Sequence, residues 1–430
     1  MVSVAEAIRQ ILEQIPRLGK ERLNILNSAG RVLAEDIIAP RNIPPWDNSA
    51  MDGYAVRWLD IQTASAGRPF LLKVLADLPA GKVFSGRLSP GGAVRIMTGA
   101  PLPRGADTVV QAEDTEKAGE WVKIFAATKK GKNIRRAGED VKAEERVLDE
   151  GMVLQPAHIG MLASIKRSFV SVYQRPRVAI LSTGDELLEI DEPWEEGKII
   201  NSNSYALAAQ VRECGGIPLQ LGIAKDRRED LLAKIQQGLQ ADILVTSGGV
   251  SVGDYDLVKA MLRELGKMNF WKVAMRPGQP LAFGVISGKP LFGLPGNPVS
   301  SMVSFEQFVR PSILKMAGHR KLFRPPLRAV LRGDIEKKGG LIHFIRCRLS
   351  IEGEKIYAST TGDQGSGILS SMVKAQGLLV LPADQTLARG GEEVTVIPLD
   401  PTLFHSDTPT YLSWSGARRK NCCFGGRFKV

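Results

Sequence analysis

Residues 243–256 read Ile243-Leu244-Val245-Thr246-Ser247-Gly248-Gly249-Val250-Ser251-Val252-Gly253-Asp254-Tyr255-Asp256. Three apolar residues run into a loop of small residues, and the texture from Asp254 onward predicts a helix. This is a buried strand that empties into a loop and then a helix. Gly248, Gly249 and Gly253 allow backbone N–H groups to approach a ligand closely, and Ser247 and Ser251 add hydroxyls. Asp254 and Asp256 follow with carboxylates. The combination suits a phosphate with a metal ion beside it. An isolated glycine-rich turn of this kind is as often a plain connection, so the rest of the chain has to decide.

Outward from that stretch the same unit repeats. Residues 178–181 form a strand that leads into Ser182-Thr183-Gly184-Asp185-Glu186-Leu187. A helix over 204–214 ends at Gly215-Gly216, a strand follows over 217–221, and further helices are expected over 228–239 and 255–265. Leu291-Phe292 runs into Gly293-Leu294-Pro295-Gly296-Asn297-Pro298-Val299-Ser300 and a helix over 301–316. Repeated β-loop-α units predict a three-layer α/β domain over residues 174–323, with its ligand loops at strand C-termini.

The flanks differ in texture. Residues 1–46 read as helical, with Val4, Ile8, Ile11, Leu12 and Ile15 opposite Glu6, Arg9, Glu13 and Arg17, up to the rigid break Ile43-Pro44-Pro45-Trp46. Residues 47–136 alternate short apolar runs (71–75, 93–97, 108–110, 121–125) with Gly/Pro turns, which predicts a small β domain. Residues 137–173 return to mixed helix and turn. Residues 324–400 predict a second β domain, with strands over 378–381 and 394–397. Residues 401–430 carry five basic residues and one acid, and their composition predicts a disordered basic tail.

Composition narrows the function classes. An apolar fraction of 43% supports packed cores, and no apolar stretch reaches membrane-spanning length. The N-terminal pattern is an amphipathic helix rather than a signal peptide, so a cytoplasmic location is expected. The net charge is +11, but the aromatic content is 6% and the basic residues of the main body are dispersed. That balance favours small anionic ligands over nucleic acid. Cys214, Cys347, Cys422 and Cys423 show no Cys-x-x-Cys spacing and the four histidines are isolated, which speaks against a disulfide framework or a His/Cys metal site.

Several constellations carry chemistry. Asp185-Glu186, Asp226 and the pair Asp254/Asp256 follow three strands of one predicted sheet and converge on one rim. Each alone is explained by helix capping; together they favour a Mg²⁺ site beside a phosphate cradle, because Mg²⁺ takes hard oxygen ligands. Lys272 and Arg276 share a face if residues 272–280 form one extended strand. In the first β domain, Asp47-Asn48-Ser49 with Asp52, Ile96-Met97-Thr98-Gly99, and Arg135-Arg136-Ala137-Gly138-Glu139-Asp140 are polar turns in apolar settings. Each of these three is most simply a turn.

Taken together, PPWDNSAMDGYAVR (44–57), RIMTGAPLP (95–103), IRRAGED (134–140), STGDEL (182–187), TSGGVSVGD (246–254), GLPGNPVS (293–300) and TTGDQGSG (360–367) resemble the molybdopterin molybdenumtransferase family, of MoeA and gephyrin E-domain type, over about residues 1–400. The resemblance implies an elongated domain built from residues 1–46 and 137–173, an inserted β domain over 47–136, a MogA/MoaB-like molybdopterin-binding α/β domain over 174–323 and a C-terminal β-barrel over 324–400. It implies a homodimer whose active sites are shared between subunits. The implied reaction uses adenylylated molybdopterin, molybdate and Mg²⁺, and releases AMP. Candidate protein partners are the molybdopterin adenylyltransferase and recipient molybdoenzymes.

By motif position the resemblance assigns Glu186, Asp226 and Asp256 to the metal, with Asp52 and Asp140 contributed by other domains, from the partner subunit. It assigns Gly184, Asp185, Ser247, Gly248, Gly249, Ser251 and the loop Pro295, Gly296, Asn297, Pro298 and Ser300 to the pterin nucleotide. Lys272, Arg276, Arg346 and Ser366 fall on the molybdate side, and Thr98 and Arg135 shape the site. Two positions depart from the common pattern: Gln279 stands where many relatives have lysine, and Arg227 where an Asp-Asp pair is common. The α/β domain alone would also suit the upstream adenylyltransferase, and the fold alone a non-catalytic scaffold. The two β domains and the carboxylates Asp52, Glu186, Asp226 and Asp256 favour the molybdenum-inserting enzyme.

Overall fold

The computed structural model describes residues 1–249 and 257–409. These fall into two compact units. One holds residues 1–16, 176–316 and the described residues from 321 onward; the other holds residues 17–175 and 317–320.

The first unit is built around a six-stranded sheet in the order Ile217–Ala224, Arg177–Thr183, Ile243–Ser247, Lys289–Leu294, Pro280–Ile286, Lys267–Lys272. The first four strands are parallel and the last two join by antiparallel pairing. Alternate residues of a strand face opposite sides. Ala179, Leu181, Leu244 and Leu291 therefore pack with Leu231, Ile235, Met261 and Leu262 of the helices Arg228–Gly238 and Leu257–Leu265. The other face carries the helix Ser202–Glu213 and the helical run from Pro298 to Met316. The three-layer α/β expectation thus holds, with the parallel strands two to four residues longer than the apolar runs indicate. The run 298–316 is not one plain α-helix: Phe305–Val309 forms a π turn between Pro298–Ser304 and Arg310–Met316.

In the same unit Leu327–Leu331, Ile342–Glu352, Lys355–Thr360, Gly377–Leu381 and Glu393–Pro398 close into a five-stranded barrel, because Ile342–Glu352 pairs with both Lys355–Thr360 and Gly377–Leu381. Ala329, Cys347, Leu379 and Val396 fill its interior.

The second unit contains a six-stranded sheet in the order Thr108–Gln111, Gly53–Val56, Gly92–Ile96, Phe70–Leu78, Trp121–Ile124, Thr115–Ala118, as the alternation over 47–136 predicts. The helical reading of residues 1–46 is overturned beyond the first turns. Val4–Glu13 is a helix capped by Ser3, burying Val4, Ala7 and Ile11. Pro16 lies beyond its end, and Lys20–Asn24 is a strand paired antiparallel with Phe169–Tyr173. Long-range pairing overrides the local apolar spacing there. Among the described residues no helix is long and apolar enough to cross a membrane.

Candidate functional site

The loops after Arg177–Thr183 and Ile243–Ser247, together with the loop after Lys289–Leu294, surround a cleft of about 600 Å³ at the C-terminal rim of the parallel strands. It is lined by Thr183, Glu186, Asn203, Ser247, Gly248 and Asn297, among others. Adjacent parallel strands bring these loops together although they are far apart in sequence.

Cross-ties hold the loops. The Gly248 N–H donates to the Leu294 carbonyl at 3.1 Å. Gly248 has φ +93°, and a Cβ there would stand 2.8 Å from the Thr183 carbonyl oxygen, so the position requires glycine. Ser182 donates its hydroxyl to Asn201 Oδ1 at 2.7 Å, and Asn201 caps the helix Ser202–Glu213 by accepting from the Ser204 N–H. Asn203 donates from Nδ2 to Ser247 Oγ at 2.8 Å and to the Gly296 carbonyl at 2.7 Å. Asn201 and Asn203 are the site residues that the motif reading passes over. The stretch Asn201-Ser202-Asn203-Ser204 carries a helix-capping signal and nothing that points across the sheet. Thr183 Oγ1 is buried with no hydrogen-bond partner among the described residues, which leaves a polar atom for a ligand to meet.

Of the assigned carboxylates, one lines this cleft among the described residues. Glu186 lines it and is exposed. Asp185 and Asp226 are exposed on neighbouring loops, and the Asp226 N–H donates to Asp185 Oδ1 at 3.1 Å. Gly184 is buried where its N–H reaches the Ala224 carbonyl, and Gly249 is half-buried after Gly248. Ser251, Asp254 and Asp256 lie outside the described residues. Among the described residues no three His, Cys, Asp or Glu side chains gather into a metal-sized group. The oxygen donors present, Glu186 and Asp226, are of the hard type that Mg²⁺ takes. Burial pushes the Cys214 and Cys347 thiols up to about 12, so neither is a ready thiolate.

A second hollow of about 360 Å³ adjoins through Asn297 and is lined by Arg276, Gln279, Ser300, Gln364 and Ser366. The barrel loop is tied to the α/β domain here: Asn297 Nδ2 donates to Ser366 Oγ at 3.1 Å, and the Val299 N–H to the Ser366 carbonyl at 3.1 Å. Pro295 is buried, while Gly296 and Pro298 line the larger cleft.

Two expectations about the cations fail geometrically. Lys272 and Arg276 do not share a strand face. Lys272 ends the edge strand Lys267–Lys272, whereas Met275–Arg276 pairs with Ile342–His343 of the barrel. Val273 bridges to Val2 between them, which breaks the period. Arg346 is 1% exposed rather than open to an anion. Its guanidinium donates to Ser371 Oγ and the Gly365 carbonyl, both at 3.0 Å, and Gln364 bonds the Arg346 backbone at both N–H and carbonyl. Burial draws its pKa below the ordinary value. Arg346 therefore organises the loop that presents Gln364 and Ser366.

In the other unit, Asp52 Oδ1 accepts from both the backbone N–H and the hydroxyl of Thr98, each at 2.7 Å. These bonds hold the Asp52 carboxyl below its usual range. Arg135 is exposed on a short strand paired with Asn48–Ser49, and Asp140 is exposed with its N–H bonded to the Ile43 carbonyl. Arg136 and the Ala137 N–H both bond Asp47.

This assembly defines a class: a multidomain α/β protein with an amide- and hydroxyl-lined cleft at a parallel-sheet rim, together with a β-barrel and an inserted β domain. The pattern of the MoeA N-terminal region (domain I and II) matches residues 2–165, that of a probable molybdopterin binding domain residues 179–315, and that of the MoeA C-terminal region (domain IV) residues 328–399. A Haemophilus influenzae protein named molybdopterin molybdenumtransferase is 38% identical over 408 residues, covering 94% of this chain and all of that one. A Nostoc protein of the same name is 38% identical over 93% of this chain and 94% of its own. The crystal structure of a molybdopterin biosynthesis MoeA protein from Pyrococcus horikoshii superposes with a TM-score of 0.81 at 31% identity, over 93% of this chain and all of that one. The chain belongs to the molybdopterin molybdenumtransferase family, a family of transferases.

Proposed function

We propose that this chain inserts molybdenum from molybdate into adenylylated molybdopterin and releases AMP, as a step in molybdenum cofactor synthesis. The observation that carries the reading is the juxtaposition of two hollows sharing Asn297: one lined by amides, hydroxyls and Glu186, the other by Arg276, Ser300 and Ser366. The first suits the phosphate end of a nucleotide. The second suits a tetrahedral oxyanion, which takes guanidinium and hydroxyl donors. Soft sulfur ligands for molybdenum come from the pterin dithiolene, so the chain needs no cysteine cluster.

In this reading Gly184, Asp185, Ser247, Gly248, Gly249 and Ser251 seat the nucleotide end, and the loop from Pro295 to Ser300 closes it. Arg276, on the segment paired with Ile342–His343, and Ser366, held by Asn297 and by the loop that Arg346 organises, orient molybdate. Glu186, Asp226 and Asp256 would hold Mg²⁺, which supplies charge neutralisation on the phosphoanhydride. Asp52, Thr98, Arg135 and Asp140 complete the site from the partner subunit of a homodimer, and the protein works in the cytoplasm. The Haemophilus and Nostoc relatives' names support the reaction class.

The test is to give purified protein adenylylated molybdopterin with molybdate, and separately molybdopterin with ATP. Molybdate-dependent AMP release is expected from the first mixture. ATP consumption in the second, without AMP release in the first, would instead make the chain an adenylyltransferase, and inactivity in both a scaffold. Glu186→Gln is expected to cut AMP release by about 1000-fold while pterin binding remains measurable, the scale of losing a charge that acts on the transition state. Retained activity removes Glu186 from that role.

A further inference from the structure

Two of the serines lining the cleft, Ser182 and Ser247, have their protons in different places. Ser182 donates its hydroxyl to Asn201 Oδ1 at 2.7 Å, so its hydrogen is used inside the protein. Ser247 is the acceptor in its bond with Asn203, at 2.8 Å. The orientation of the Asn203 amide is fixed by its second contact. The same atom stands 2.7 Å from the Gly296 carbonyl oxygen, which can only accept, so that atom is the NH₂ nitrogen. Its hydrogens then point at both Gly296 and Ser247. With that lone pair of Ser247 occupied, the hydroxyl keeps its own hydrogen for another acceptor. Among the described residues none takes it, although Ser247 is 3% exposed and lines the cleft. Thr183 Oγ1, on the same lining, is likewise buried and unpartnered among the described residues.

We infer that Asn203 is a positioning residue that makes Ser247 a hydrogen-bond donor to the phosphate of a bound nucleotide. The inference rests on the function proposed above in taking the cleft as the nucleotide seat. It goes beyond that reading by assigning the direction of one proton to a residue outside the motif set. Asn203 sits in the first turn of Ser202–Glu213, where its short side chain spans to two other loops, 44 and 93 residues away in sequence. A phosphate oxygen only accepts, so a serine whose proton was turned back into the protein would face it lone pair to lone pair.

The experiment is calorimetric titration of AMP into the full-length protein, with Asn203→Ala, Ser247→Ala and the double variant forming a cycle. Each single change is expected to weaken AMP about tenfold, the scale of a hydrogen bond to a charged group. The double variant should be no weaker than Ser247→Ala alone, because Asn203 acts through that hydroxyl. Losses that multiply to about 100-fold would mean that Asn203 only braces the Gly296 loop, and would overturn the inference. So would unchanged binding in Asn203→Ala. Asn203→Ser, which keeps a small polar group in the first helical turn, repeats the cycle if the alanine variant melts early. Failure of the wild-type protein to bind AMP sinks the nucleotide reading and this inference together. Wild-type binding with multiplying losses sinks the inference alone.

Discussion

The α/β rim and the inserted β domain use the same residue types to different ends. At the rim, Ser182, Ser247, Gly248 and Gly296 are tied by Asn201, Asn203 and one another into a single frame around a cleft. In the β domain the polar turns are tied in pairs, Asp52 with Thr98 and Asp47 with Arg136 and Ala137. The rim's frame leaves the Thr183 and Ser247 hydroxyls without an acceptor among the described residues, whereas Asp52 has Oδ1 doubly bonded and, among the described residues, no hydrogen bond to Oδ2. A frame builds a concave surface; a pair presents one atom. Under the proposed function that division is apt, since the cleft has to seat a whole nucleotide and the β domain has to offer a carboxylate.

The sharpest way to break the comparison is to remove the β domain's scaffold. Gly53 lies in a central strand, and a Cβ there would stand 2.0 Å from the Val110 carbonyl oxygen. Both atoms belong to paired backbones, so neither can swing away. Gly53→Ala is expected to cost about 3 kcal/mol, seen as a lowered unfolding midpoint in urea. AMP binding to the rim should survive at temperatures where the protein remains folded. Loss of both together would mean that the two regions are not separable.

A smaller effect is expected at the rim. Gly248→Ala forces a side chain into φ +93° and against the Thr183 carbonyl. Such strain costs about 1–2 kcal/mol, and shifting the frame should weaken AMP about tenfold in calorimetry. An unchanged affinity would show that the nucleotide does not touch this turn.

The smallest effect concerns the pair. Thr98→Val removes the hydroxyl donor to Asp52 and keeps the backbone N–H, so the Asp52 pKa should rise part of the way back toward its usual value in a carbon-detected titration. Because the folded pKa is depressed, this bond stabilises the fold above the unfolded carboxylate pKa and is lost as pH falls through the folded value. The wild-type advantage over Thr98→Val should therefore shrink in acid. An unmoved titration would mean that the backbone bond alone sets the shift.

Much of this was legible in the sequence. The period of the apolar residues separates the β-loop-α region from the two β regions, because strand and helix faces repeat at different intervals. Glycine-rich stretches after apolar runs mark the strand ends that form the rim. The same local logic misread residues 17–46, where Lys20–Asn24 is held as a strand by a partner nearly 150 residues away. It also joined Lys272 to Arg276, which belong to different sheets.

The chain by itself thus determined its domain textures, its glycine turns and the placing of carboxylates after strands, since each depends on neighbours within a few residues. The tertiary structure decided the rest. Strand order put Ser247 beside Gly296 and both within reach of Asn203. Barrel closure buried Arg346 and turned its guanidinium onto the loop carrying Ser366. Which lone pair or proton remains available depends on bonds between distant segments, and no local pattern records those.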